Sequence, residues 1–168
     1  MYLNGATMAK LVACIMALLA VAASISPAYS QPTVVLVRHG EKLDSSRDPV
    51  LSPSGEARAQ RLMQMLASSG ISMIYTTEYR RTGLLAAPLA RQLGLAPQVV
   101  PAADGASLLK KLAAHANGET VLVVGHSNTV PAVLKGLGHA EPVRIDEAEF
   151  DNLFVLVQRE GKSPVVLR

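Results

Sequence analysis

The chain has 168 residues, 49% hydrophobic and 17% charged, with a formal net charge of +3 from 16 Lys+Arg and 13 Asp+Glu. The length fits one domain, and the composition excludes a disordered chain, which would be polar and highly charged. A lone cysteine, Cys14, excludes an intramolecular disulfide, and the small, dispersed charge with no tryptophan gives no reason to expect a nucleic-acid partner.

The apolar excess begins at the N-terminus. Residues 11–25 form an apolar run, with Lys10 before it and the small residues Ala28 and Ser30 after it. A basic start, an apolar stretch and small residues at a cleavage point make up a secretory signal peptide, expected over residues 1–30. Met8 is an alternative start to Met1. The run is shorter than the ~20 residues that a spanning helix needs, so no stable membrane span is expected once the leader is removed. A retained leader would anchor the chain. Cys14 lies inside the apolar run rather than after it, which argues against a lipoprotein signal. Residues 31–168 read as one domain, without cysteine, bound for the periplasm or the exterior.

Thr33–Val37 is unbroken, apolar and rich in β-branched residues, the pattern of a buried strand. A polar loop runs from Arg38 to Leu51. Ser52-Pro53 then fits a helix start, with the helix continuing to about Ser68 and stopping at Gly70. Ile71–Tyr75 is a second strand. A helix is expected from about Tyr79 to Leu93, ending at Gly94, with Pro88 as a potential kink. Gln98–Val100 is a short strand, and Asp104 caps a helix reaching about Ala116, with Leu108, Leu109 and Leu112 facing inward. Thr120–Val124 is a third strong strand, followed by a helix from about Pro131 to Leu137. Asn152–Gln158 and Pro164–Leu167 close the chain as a hairpin turning at Glu160-Gly161. Strands alternating with helices imply an α/β fold of three layers, a mostly parallel sheet with helices on both faces.

In such sheets ligands bind beyond the carboxyl ends of the strands. The first strand ends in Arg38-His39-Gly40-Glu41, the second runs into Thr76-Thr77-Glu78-Tyr79-Arg80-Arg81, and the third strong strand ends in Gly125-His126-Ser127-Asn128. Two histidines and at least two arginines therefore converge at one edge. Guanidinium groups match phosphate oxygens as planar forks. One neutral imidazole can accept a phosphoryl group, and a second, protonated beside bound phosphate, can donate to its oxygens. Gly40 lets the backbone approach the phosphate. Ser127 and Asn128 either add donors to the phosphate or cap the following helix. No metal or cofactor is expected, because the chain has neither a helical His-x-x-x-His pair nor a cysteine set. Gly-His-Ser-Asn also lacks the second glycine of a serine nucleophile elbow. His115 and His139 read as solvated, and Lys42, Arg47 and Arg58 read as solvated charges able to assist an anionic substrate.

Arg38-His39-Gly40 after one strand and Gly125-His126 after a later one resemble the histidine phosphatase (phosphoglycerate mutase-like) superfamily. Residues 75–90 resemble its second-arginine helix, with the phosphate-binding arginine falling on Arg81 rather than Arg80. Leu85 stands where the family usually has threonine. The resemblance implies His39 as phosphoryl acceptor, with Arg38, Arg81 and His126 forming the phosphate pocket. It also implies a carboxylate general acid, but the family motif that usually supplies a glutamate is not visible. Asp104, Glu41 and Asp44 are the candidates, and a reactive leaving group would need none. The implied activity is metal-independent hydrolysis of a phosphate monoester or phosphoramidate, the partner being a phosphorylated small molecule or a phosphoprotein. A phosphomutase and a non-catalytic phosphate-binding module are the alternatives. The short span from Arg81 to His126 leaves little room for a mutase lid.

Overall fold

The computed structural model describes residues 32–116, 118–159 and 162–168. The leader expected over 1–30 and the Glu160-Gly161 turn lie outside the described residues. The elements are β1 (Thr33–Arg38), α1 (Pro53–Leu66), β2 (Ile71–Thr76), α2 (Arg80–Leu93), β3 (Gln98–Val99), α3 (Gly105–Ala113), β4 (Thr120–Gly125), α4 (Thr129–Gly136), β5 (Leu153–Arg159) and β6 (Lys162–Leu167). They form one six-stranded sheet in the order β3-β2-β4-β1-β5-β6. The pairs β1–β4, β2–β4 and β2–β3 are parallel, while β5 runs antiparallel to both β1 and β6.

Alternation along the central strands divides the core in two. Val35 and Val37 of β1 and Leu122 and Val124 of β4 pack against α1 and α2 through Ala59, Leu62, Leu85 and Leu89. Val34, Leu36, Val121 and Val123 face the opposite way, onto Leu112 of α3 and Val130, Val133 and Leu134 of α4. Adjacent strands β1 and β4 thus send their following helices to opposite faces. A crevice opens between their carboxyl ends, the expected place for a ligand.

The helix ends depart from the periodicity where side chains and tighter turns compete for the last carbonyls. α1 stops two residues early because Ser69 turns back, its hydroxyl donating to Leu66 O at 2.7 Å. Regular α3 ends at Ala113, where Ala114 N–H and His115 N–H bond three residues back, to Lys111 O and Leu112 O. His115 is consequently not solvated: it turns inward to the Tyr75 hydroxyl at 2.9 Å and pairs with Glu119. His139 is likewise half-buried. α4 begins at Thr129, ahead of Pro131, since Val130 N–H already bonds His126 O at 3.0 Å. α2 passes through Pro88 unbroken and ends at Gly94 in the left-handed conformation, φ 66°. Of the three leucines expected inward on α3, only Leu112 is fully buried.

The loop after β1 is fastened to the start of α1. Ser52 caps that helix by accepting from Gly55 N–H at 3.2 Å, and Ser52 N–H bonds Glu41 O at 2.9 Å. Gly40 and Gly55 allow this approach. A Cβ on Gly55 would lie 2.4 Å from Glu41 O, and one on Gly40 would lie 3.2 Å from Gly55 Cα. Gly40 therefore serves the packing of its loop onto α1.

Candidate active site

The β1–β4 ladder aligns Arg38 with Gly125. The next residues, His39 and His126, leave the sheet side by side, and His39 N–H donates to Gly125 O at 2.9 Å. Their rings meet edge-on, with centroids 5.2 Å apart. Together with Arg38 and Arg81 they line a pocket of about 430 Å³. Lys42 and Arg47, read from sequence as solvated charges, also line it, as do Ser127 and Asn128, whereas Gly40 does not. Arg80, by contrast, is exposed and does not line the pocket.

The hydrogen bonds fix which imidazole nitrogen carries a proton. His39 Nδ1 lies 2.8 Å from Gly40 O, which can only accept, so Nδ1 is protonated and Nε2 holds the lone pair. His126 Nδ1 lies 3.4 Å from an Arg81 amino group, which can only donate, and its Nε2 lies 3.0 Å from the Thr77 hydroxyl. The neutral His126 therefore carries its proton on Nε2. Its backbone N–H donates to Thr129 Oγ1 at 2.8 Å, tying the strand end to α4.

Both imidazoles resist protonation. Burial brings His39 down to about 4, and Arg81, Arg38 and Lys42 add to the effect while the Gly40 carbonyl opposes it. Burial, with Arg81 and His39 behind it, brings His126 down to about 4 as well, against a raising effect of Glu78.

Each arginine is clamped. Arg38 is only 1% exposed and donates through Nη1 to Asp146 O (2.7 Å) and Glu149 O (2.9 Å), while its guanidinium lies 4.3 Å from the Phe150 ring centre. Arg81 stacks on Tyr79 at 4.4 Å and stands 3.8 Å from Asp48. Among the described residues, Arg38 Nε and both Nε and Nη1 of Arg81 are buried without a hydrogen-bond partner. Unmet donors in a cationic pocket suit an anion rich in oxygen acceptors.

The three carboxylates singled out from sequence lie elsewhere. Glu41 is held by Arg58 through two bonds of 2.7 and 3.0 Å, which keep its carboxyl below the usual range. Asp44 accepts from Ser46 N–H at 2.8 Å and is exposed. Asp104 acts as the α3 cap, accepting from Ser107 N–H at 3.0 Å, and does not line the basic pocket. The carboxylates that do line it are Glu78 and Glu147. Glu78 accepts from Ala102 N–H at 2.7 Å. Glu147 is 77% exposed and bonds both Arg38 Nη2 (2.9 Å) and the Ser127 hydroxyl (2.6 Å). The Ser127 bond, with Arg38 behind it, holds Glu147 below the usual carboxylate range. Ser127 is thus engaged by a carboxylate, and Asn128 stands at the start of α4 without a side-chain cap bond. Sequence reasoning missed Glu147, Phe150 and the role of Thr77. No group of three or more His, Cys, Asp or Glu among the described residues is placed to hold a metal ion.

Fold and site together define an α/β protein of the phosphoglycerate mutase-like type. Residues 34–104 match the profile of the histidine phosphatase superfamily, branch 1. Mycobacterial hydrolase 1 has a similar fold, with TM-score 0.65 at 15% identity, the match covering 82% of this chain and 97% of that one. Phosphoserine phosphatase from Entamoeba histolytica, solved with 3-phosphoglyceric acid, gives 0.64 at 17% identity over 82% and 96%. A protein from Agrobacterium tumefaciens, provisionally assigned as the phosphohistidine phosphatase SixA, gives 0.62 at 20% over 81% and 97%. No curated protein sequence matches the chain. Residues 34–104 thus carry the sequence pattern of the histidine phosphatase superfamily, and the described residues share the fold of these solved proteins.

The depressed imidazoles make stability depend on pH. Between pH 6.5 and 5, above the carboxylate range, the unfolded chain takes up protons on His39 and His126 that the folded chain refuses. Stability is therefore full above about pH 6.5 and falls as pH falls toward about 4. Thermal midpoints measured across pH 7 to 5 are expected to drop in the wild-type chain and to drop less in His39→Asn. A midpoint that stays flat in the wild type contradicts the assignment.

Proposed function

We propose that the protein is a metal-independent phosphatase that works through a phosphohistidine on His39. The observation that carries this reading is the Gly40 carbonyl on Nδ1, which leaves the Nε2 lone pair to a pocket shared with Arg38, Arg81 and His126. In the first step Nε2 attacks phosphorus and the bond from phosphorus to the leaving oxygen breaks. The arginines hold the equatorial oxygens as charge spreads over them. A bound phosphate dianion reverses the local field and favours proton uptake by His126, which then donates to a phosphoryl oxygen. Glu78 is assigned the proton for the leaving oxygen: it lines the pocket and is anchored through one oxygen by Ala102 N–H. In the second step the Glu78 carboxylate takes a proton from water, water attacks phosphorus, and His39 and inorganic phosphate are released. Glu147 competes with the incoming phosphate for Arg38 Nη2, and its exposure lets it swing away.

Hydrolysis is favoured over transfer. The span between Arg81 and His126 is occupied by α2, β3, α3 and β4, and similar folds carry the names of phosphatases. Substrates of this reading are phosphate monoesters or phosphoramidates, small or on a protein.

The full chain is expected to hydrolyse p-nitrophenyl phosphate in EDTA, and His39→Ala to reduce kcat by about a thousandfold or more. Alkaline quenching during turnover should trap phosphate on His39, and wild-type turnover in the alanine variant refutes the mechanism. Glu78→Gln should slow an alkyl phosphate by about 100-fold, the usual scale of general acid catalysis, yet slow p-nitrophenyl phosphate much less, since nitrophenolate leaves without a proton. Equal losses on both substrates would remove Glu78 from that role.

We also propose export, on the basis of the leader over residues 1–30. Fractionation of the source cells, with N-terminal sequencing of the protein recovered, should place it outside the cytoplasm and starting at Gln31. A cytoplasmic chain that retains residues 1–30 would sink this.

A further inference from the structure

A second cavity, of about 350 Å³, adjoins the basic pocket at the same sheet edge. That size lies within the range of small-ligand sites. Its floor is the α3/α4 side of the sheet, where Val123, Val130 and Val133 are buried, and its wall is Leu108 and Leu109 of α3. These are the two leucines that α3 leaves only half-buried. The cavity shares Ala102, Ala103, Asn128 and Thr129 with the basic pocket. The two cavities meet at these residues, and two of them are alanines, which carry nothing beyond Cβ. Thr77 and Thr129, whose hydroxyls bond the His126 ring and backbone, line the second cavity, and the remainder is mostly valine, leucine and alanine, with Tyr75, Thr76, Asp104 and Asn128 as the other polar members.

We propose that this cavity holds the hydrocarbon part of a monoalkyl phosphate whose phosphate sits at His39. The assignment rests on the phosphatase reading for the reaction at phosphorus but not for binding. A sugar placed here would set most of its hydroxyls against valine, leucine and alanine, with Asp104 the one carboxylate in the lining. A hydrocarbon loses nothing by leaving water, and each methylene that enters favours binding by about fourfold. Substrate choice then follows from two adjoining compartments, one cationic and one apolar.

The test uses the full chain and two homologous series, n-alkylphosphonates and n-alkyl phosphates, from ethyl to octyl. Phosphonates cannot be hydrolysed, so calorimetry on them reads binding alone. Kd should fall by about fourfold per methylene until the cavity is full, and kcat/KM for octyl phosphate should exceed that for ethyl phosphate by roughly a hundredfold or more. Ala132→Trp, at an exposed position of α4 lining the cavity, and Leu108→Gln, on its wall, should each cut the octyl-to-ethyl ratio by about tenfold. Binding independent of chain length, alongside turnover of small phosphates, overturns the cavity assignment and leaves the phosphatase reading standing. Chain-length-dependent phosphonate binding without turnover of any phosphate does the reverse. A steep series that both variants leave unchanged places the hydrocarbon elsewhere and also overturns the assignment.

Discussion

The parallel ladder that aligns Arg38 of β1 with Gly125 of β4 is the constraint on which the site depends. Strand side chains alternate between faces, so a slip of one residue would exchange the two core faces and separate the imidazoles. With the register held by Val34–Val37 and Val121–Val124, all of them buried, His39 and His126 must emerge together. The helices that follow them depart to opposite faces, which keeps the space above the rings clear. The same interior that sets the register also desolvates the rings, and burial is the largest cause of both depressed imidazoles. Packing and chemistry thus share one origin.

Concentrating positive charge there is unfavourable without support. Arg38 is buried, and its guanidinium is met by two backbone carbonyls, the Phe150 face and Glu147. Those partners all come from one segment more than a hundred residues further along the chain. Arg81 relies on Tyr79, two residues before it, and on Asp48. Three guanidinium N–H positions still go unmet among the described residues, a stability cost that an anion would relieve. Functional sites retain such unmet groups where the surrounding fold is stable enough to bear them.

What could be read from sequence and what could not divide along physical lines. The strands were legible because β1 and β4 are unbroken apolar runs and β2 is interrupted only at Ser72, and the basic residues at their ends were legible because a parallel sheet gathers carboxyl ends on one edge. Pairings across the fold were not. Nothing in the segment around Glu147 and Phe150 has periodicity, and its contact with Arg38 joins distant parts of the chain. His115 read as solvated because Tyr75, its partner, lies 40 residues earlier. Nearness to His39 in sequence does not bring a carboxylate into the pocket. Glu41, two residues from His39, is taken by Arg58, whereas Glu78 stood inside the arginine motif unnoticed.

The carboxylates make the general point about assigning acids. Glu41 is held as an anion by Arg58, and a carboxylate so held is a poor proton donor, while Asp44 and Asp104 do not line the basic pocket. Glu147 shares that handicap while Ser127 and Arg38 hold it. Bound phosphate acts on Glu147 in the opposite sense, because a dianion beside it disfavours a further negative charge. In the proposed reaction the proton for the leaving group is therefore best supplied by a carboxylate that meets the substrate without already being committed to an arginine. Glu78, which lines the basic pocket and is fixed by a neutral backbone N–H, satisfies both conditions.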